Sequence, residues 1–153
     1  MDISKLDQKI KPSGTMAISN KSRELKSQGK PVIGFGAGEP DFPSPDYVVD
    51  AAIKAAADPK NHKYSPAAGL ESLRQIIAKT TKDYSGFEIN SDNVIVSNGG
   101  KQSILTAFLS ILDPGDEVII PAPYWTTYPE AVKIAGGTPV LIETEKSNNF
   151  KVT

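Results

Sequence analysis

The pattern of apolar and polar positions along the chain switches repeatedly between helical spacing and short β-branched runs. Residues 1–14 follow neither period. Charged residues mix with scattered apolar ones, and Pro12-Ser13-Gly14 interrupts the sequence, which predicts an N-terminal arm. A helix is predicted over about 15–28 with Gly29 as its stop, then a short strand over 32–35. Ser44-Pro45 reads as a helix start, with Ser44 as N-cap and Pro45 in the first helical position; the alanine-rich run behind it ends before Pro59. A further helix follows Gly69, with Leu70, Leu73, Ile76 and Ile77 on one face and Gly86 near its end. From Val94 the order is strand (94–96), helix, strand (118–120), helix (about 128–135) and strand (140–142). Asp113-Pro114-Gly115-Asp116 and Gly136-Gly137 punctuate it. Strands alternating with helices predict an α/β architecture, with a parallel or mixed sheet flanked by helices.

The densest chemical signal lies in Val94-Ile95-Val96-Ser97-Asn98-Gly99-Gly100-Lys101-Gln102 and the run behind it, where Ile104, Leu105, Phe108, Leu109 and Leu112 recur at helical spacing. A strand that stops in a glycine turn and opens a helix leaves backbone N–H groups unpaired and pointing one way. Together with the helix dipole these donors favour a phosphate. Gly99 and Gly100 lack a Cβ, so an anion can approach the backbone closely. Glycine pairs after strands also serve as plain tight turns, and these residues alone leave both readings open.

Three further blocks supply context: Gly36-Ala37-Gly38-Glu39-Pro40-Asp41-Phe42, Lys63-Tyr64-Ser65-Pro66-Ala67-Ala68-Gly69, and Pro121-Ala122-Pro123-Tyr124-Trp125-Thr126-Thr127-Tyr128-Pro129. In this order and at these intervals the four blocks resemble the N-terminal part of class I aminotransferases, the aspartate aminotransferase family of fold-type I pyridoxal-phosphate enzymes. The resemblance runs from about Lys11 to the end of the chain. It implies the front part of the large, cofactor-binding domain over 31–153, incomplete, with an arm and helix over 1–30 that belong to the small domain of the complete enzyme.

Composition narrows the alternatives. With 17 basic against 18 acidic residues, no field draws the chain to nucleic acid or a membrane surface. The chain has no cysteine, which excludes disulfides and thiol chemistry within it and fits a cytoplasmic setting. The first twenty residues lack an apolar core, so a secretory leader is not predicted. The single histidine, His62, excludes a histidine metal cluster and reads as a surface or loop residue.

The resemblance assigns roles residue by residue. Gly99, Gly100 and Lys101 would hold the phosphate of pyridoxal 5'-phosphate, Lys101 through its position at a helix start rather than as the Schiff-base lysine. Trp125 would stack on the pyridine ring and border the substrate. It follows a strand end, where α/β sheets place ligands, whereas tryptophans more often fill cores. Tyr64 would reach the cofactor phosphate of a second subunit, implying a homodimer with shared active sites. Gly38 would meet the substrate α-carboxylate through its N–H, and Lys11 a distal carboxylate. Tyr124 and Tyr128 read as packing residues. The Schiff-base lysine and the acidic partner of the pyridinium nitrogen are expected past residue 153. No catalytic residue is therefore expected within this chain, and the 153 residues alone are expected to be inactive. The implied function is amino-group transfer between aspartate, or a similar amino acid, and a 2-oxo acid such as 2-oxoglutarate. A β-lyase, decarboxylase or cyclopropane-carboxylate synthase relative shares this front half, and a non-catalytic phosphate- or partner-binding chain is the alternative of another class.

Overall fold

A computed structural model describes residues 4–153 and divides the chain into two compact units, one formed by the chain up to Gly38 with Gly99–Thr153 and the other by Glu39–Asn98. The first three residues of the expected arm lie outside the described residues.

In the first unit, the described part of the arm holds a 3-10 turn, Asp7–Lys9, before helix α1 (Gly14–Ser27). Ser13 caps α1 by accepting from the Met16 N–H at 3.4 Å, and Gly29, at φ +75°, turns the chain away after it. The segment behind Gly29 crosses α1 closely. A Cβ at Gly36 would come within 2.9 Å of both Ile18 Cγ2 and Ser19 Oγ, and one at Gly34 within 2.9 Å of Ser22 Oγ. Glycine is required at 36 because backbone, side chain and helix meet there with no room for a methyl group.

The sheet of this unit is built from β1 (Glu117–Pro121) and β2 (Thr138–Ile142), paired in parallel with Ile119 opposite Val140. The Ala122 N–H extends the ladder to Ile142 O at 2.8 Å. Parallel strands need a crossover. Helix α5 (Thr127–Ile134) supplies it and packs on both strands and on α4 (Gly100–Ile111). Val132 is completely buried, with Ala131 and Ile120 beside it in burial. A buried valine or isoleucine of this kind stabilises by about 1.5–3 kcal/mol.

The second unit contains α2 (Asp46–Ala57) and α3 (Glu71–Ser85). Gly86 ends α3 in the left-handed conformation at φ 72°, as expected from its position. Ala78 of α3 and Val94 are buried. A polar staple ties the start of α3 to the 3-10 turn Ser91–Asn93. Arg74 Nη1 donates to Ser91 O at 2.8 Å, its Nη2 pairs with Glu71, and Ser91 Oγ donates to Glu71 Oε1 at 2.8 Å. The Ser91 hydrogen bond, with those from Gln75 and the Arg74 charge, holds the Glu71 carboxyl below its ordinary range against a smaller opposing effect of burial.

The α/β class stands, with a two-stranded parallel sheet and five α-helices among the described residues. Four expectations are corrected. Residues 32–35 form no strand, with Ile33 and Phe35 exposed, and 94–96 form none either. Val94 is extended (φ −117°, ψ 127°), and the Val96 N–H donates once, to Ala68 O at 2.9 Å. A strand exists through its ladder, and no described strand lies beside either segment. At α2, Pro45 itself stands at the N-cap position with ψ 141°, its carbonyl accepting from Val48 and Val49, so Ser44 sits one residue too early to cap. At α3, Leu70 is the N-cap residue and half exposed rather than part of the helical face.

Candidate functional site

Helix α4 owes its start to glycine. Gly99, at its N-cap, takes φ 80° and ψ 169°, a conformation that a side chain opposes. Gly100 opens the helix, and a Cβ built on it would meet no heavy atom within 4 Å, so the space beside the first turn is open. No acidic residue stands in that turn. The first-turn N–H groups of a helix lack intrahelical acceptors, and the dipole adds positive potential, so the end of α4 favours an anion.

One residue further, Lys101 places its ammonium 5.5 Å from the centroid of the Trp125 ring, within cation–π range. Trp125 lies in the loop between β1 and α5. Tyr128, in the first turn of α5, meets it edge-on at 5.7 Å and 89°, and the Tyr128 N–H donates to Trp125 O at 3.0 Å. The indole is thus fixed by an edge contact while 41% of the residue remains exposed, which is not the state of a core tryptophan.

Beside this pair opens a cleft of about 680 Å³. The arm residues Lys11, Pro12, Ser13 and Gly14 form one wall, and Lys101, Tyr124 and Glu130 are among the residues of the others. Glu130 is an anchor between walls. Its Oε2 accepts from the Lys11 backbone N–H at 3.0 Å, and its Oε1 pairs with Lys133 Nζ at 2.9 Å. Burial alone would raise this carboxyl, but the Lys133 and Lys11 hydrogen bonds and the charges of both lysines outweigh it and leave the group below its ordinary range.

The structure therefore brings Lys11, Lys101 and Trp125 into one neighbourhood, with Gly99 and Gly100 at the head of the same helix as Lys101. Gly38 belongs to the same unit but does not line the cleft. Nothing lies within 4 Å of a Cβ built there, so local packing does not call for its glycine. Tyr64 lies in the second unit, fully exposed. His62 is exposed and bonds through Nε2 to Ala56 O at 2.8 Å, close to the end of α2, in line with its reading as a surface residue. Two residues escaped the sequence reading. Glu130 bonds an arm 119 positions away, a relation that no local pattern signals. Gly36 could have been suspected only as a glycine two residues from Gly38. Among the described residues no group of three or more histidine, cysteine or acidic side chains is arranged for a metal ion, and no helix is long and apolar enough to cross a membrane.

Comparison with known proteins gives a consistent result. The family described as aminotransferase class I and II matches residues 30–153. An aspartate aminotransferase of Streptomyces avermitilis is 55% identical over 144 residues, covering 94% of this chain and 35% of that protein. A probable aspartate aminotransferase of Streptomyces griseus is 53% identical over the same length, covering 94% of this chain and 67% of its own. Among solved structures, the aspartate aminotransferase from Thermus thermophilus with maleate superposes at a TM-score of 0.94 and 42% identity, covering all of this chain and 40% of that one. The chain thus spans little more than a third of the Streptomyces avermitilis protein and two fifths of the Thermus one.

Proposed function

Because the chain belongs to the class I and II aminotransferases, we propose that the protein carrying it transfers an amino group between aspartate, or a similar dicarboxylic amino acid, and a 2-oxo acid such as 2-oxoglutarate, using pyridoxal 5'-phosphate. The observation that carries this reading is the glycine-opened end of α4 with Lys101 held 5.5 Å over Trp125. A helix N-terminus suits a phosphate, and an exposed aromatic beside it suits a flat ring, so the residues present fit this cofactor. Gly99, Gly100 and Lys101 would hold the phosphate. Trp125 would hold the ring on the face that the Lys101 ammonium leaves open. When bound, the cofactor supplies an electron sink for bonds at the amino acid Cα. Lys11 supplies a cation on the arm side of the cleft, suited to a second carboxylate, and the Thermus relative was solved with maleate. Gly38 would offer its N–H to the substrate α-carboxylate. On the same reading the enzyme is a cytoplasmic homodimer, with 1–30 in its small domain and 31–153 in its large one.

Gly100→Val tests the phosphate site. The added side chain meets no protein atom on its first carbon and, inside a helix, valine is slightly better than glycine, so apo stability should hold. Cofactor affinity should fall at least about tenfold, or roughly 1.4 kcal/mol. Cofactor titration beside an apo thermal melt checks both, and unchanged affinity would leave Gly99-Gly100 as an ordinary turn.

Tyr64→Phe tests the shared site. Losing the hydroxyl should weaken cofactor binding by roughly 0.5–3 kcal/mol, the span of neutral to charge-assisted hydrogen bonds. In mixed dimers of wild-type and variant subunits, the loss should appear in the neighbour's site. A loss confined to the variant's own site rejects the cross-subunit role.

A further inference from the structure

We propose that Glu130 is a positioning residue for substrate selection: by holding the backbone of the N-terminal arm, it fixes Lys11 at the cleft, where the lysine ammonium meets the second carboxylate of a dicarboxylic substrate. The inference rests on the transaminase reading above and adds to it a residue with no contact to cofactor or reacting atoms.

The geometry separates the two oxygens of Glu130. One accepts from the Lys11 N–H at 3.0 Å and the other is taken by Lys133 at 2.9 Å. The carboxylate therefore grips the arm through the main chain, while the Lys11 ammonium has no carboxylate within ion-pair distance among the described residues. An arm held by an ion pair to that ammonium would have used up its charge. Held by the backbone, the Lys11 ammonium forms no ion pair with a described carboxylate and feels the Glu130 charge only from beyond ion-pair distance. Lys133 balances the Glu130 charge, so the anchor adds no net negative field to a site that must accept an anion. Lys11 through Gly14 form one wall of the cleft together, so the anchor sets the wall as well as the lysine. The next firm point on the arm is the Ser13 cap of α1, an exposed contact at 3.4 Å. Glu130 sits on a helix that carries the buried Ala131 and Val132, so of the two supports it is the one tied to the core.

The test uses the complete enzyme that carries this chain, with three variants and two readouts. In Glu130→Ala, the Lys11 amide should exchange with solvent at least about tenfold faster, because the main-chain bond to a carboxylate is gone. In the same variant KM for aspartate should rise roughly tenfold, with kcat within about twofold and KM for alanine unchanged, the pattern of lost binding to one substrate group. Glu130→Gln keeps an acceptor oxygen and should restore most of the protection and of the aspartate KM. Lys133→Met removes the ion pair but leaves the anchor, and should keep Lys11 protected. Unchanged Lys11 exchange in Glu130→Ala overturns the proposal, as does an equal loss for aspartate and alanine, which marks a general structural role. If the wild-type enzyme turns over no amino acid, the transaminase reading falls. The positioning role is then decided by Lys11 exchange and by equilibrium binding of maleate, where equal affinity in wild type and Glu130→Ala overturns it.

Discussion

Trp125→Ala is expected to weaken cofactor binding at least about tenfold while lowering apo stability by only about 1–2.5 kcal/mol. The second figure follows from what the indole touches: an aromatic edge pair contributes roughly 0.5–1.5 kcal/mol and an exposed cation–π contact roughly 0.5–1. A tryptophan packed in a core would cost about 3–5 kcal/mol on the same truncation. With 41% of Trp125 exposed and Tyr128 meeting it only at an edge, the lower range applies. Trp125→Phe keeps an aromatic face and should lose little affinity. Apo thermal melts and cofactor titrations on wild type and both variants measure the two quantities. A large fall in apo melting temperature with intact cofactor affinity would make Trp125 a packing residue and remove the aromatic half of the candidate site.

The second large effect belongs to Gly69→Ala, expected to destabilise the protein by about 2–5 kcal/mol. Two costs combine. Gly69 lies at φ 100°, where an L side chain adds roughly 1–2 kcal/mol of steric strain. Its new Cβ would also stand 2.7 Å from both Cβ and Cγ2 of Val96, and overpacking of that kind typically costs about 1–3 kcal/mol. Neither atom can retreat freely, because Val96 is held by its N–H bond to Ala68 O at 2.9 Å. Urea unfolding of wild type, Gly69→Ala, Val96→Ala and the double variant tests this. The double variant should recover part of the loss, with a coupling of roughly 0.5–3 kcal/mol between these neighbours. A cost for Gly69→Ala below about 0.5 kcal/mol, the scatter of ordinary surface changes, would contradict the close approach.

The helices were legible because their signals are local. Gly86 stops α3 where the apolar period ends, and the glycines at 99 and 100 open α4 as their position after a β-branched run suggested. Strands 118–120 and 140–142 were legible as short apolar runs between turn signals, and each proved slightly longer once paired. The same signal at 32–35 and 94–96 described extended backbone correctly for Val94, yet pairing depends on a neighbour that a run of valines does not encode. The candidate site shows the same division. Gly99, Gly100, Lys101 and Trp125 stand out by residue type and order, and the structure sets Lys101 over Trp125. Glu130 reads in sequence as one more acidic residue on an amphipathic helix. Its bond to Lys11, like the crowding of Gly69 by Val96, arises only when distant segments meet.

Trp125 is the only tryptophan in these 153 residues, and it lies between Tyr124 and Thr126, both of which line the cleft. Indole emission responds to the field of nearby charges, and the Lys101 ammonium stands 5.5 Å from the ring centroid. The chain therefore carries its own optical label. An anion that draws Lys101 toward the head of α4, or a ring that covers the open face of the indole, alters the colour and intensity of one fluorophore. Within this segment, events at the cleft are separable from events around α2 and α3, where no tryptophan contributes to the spectrum.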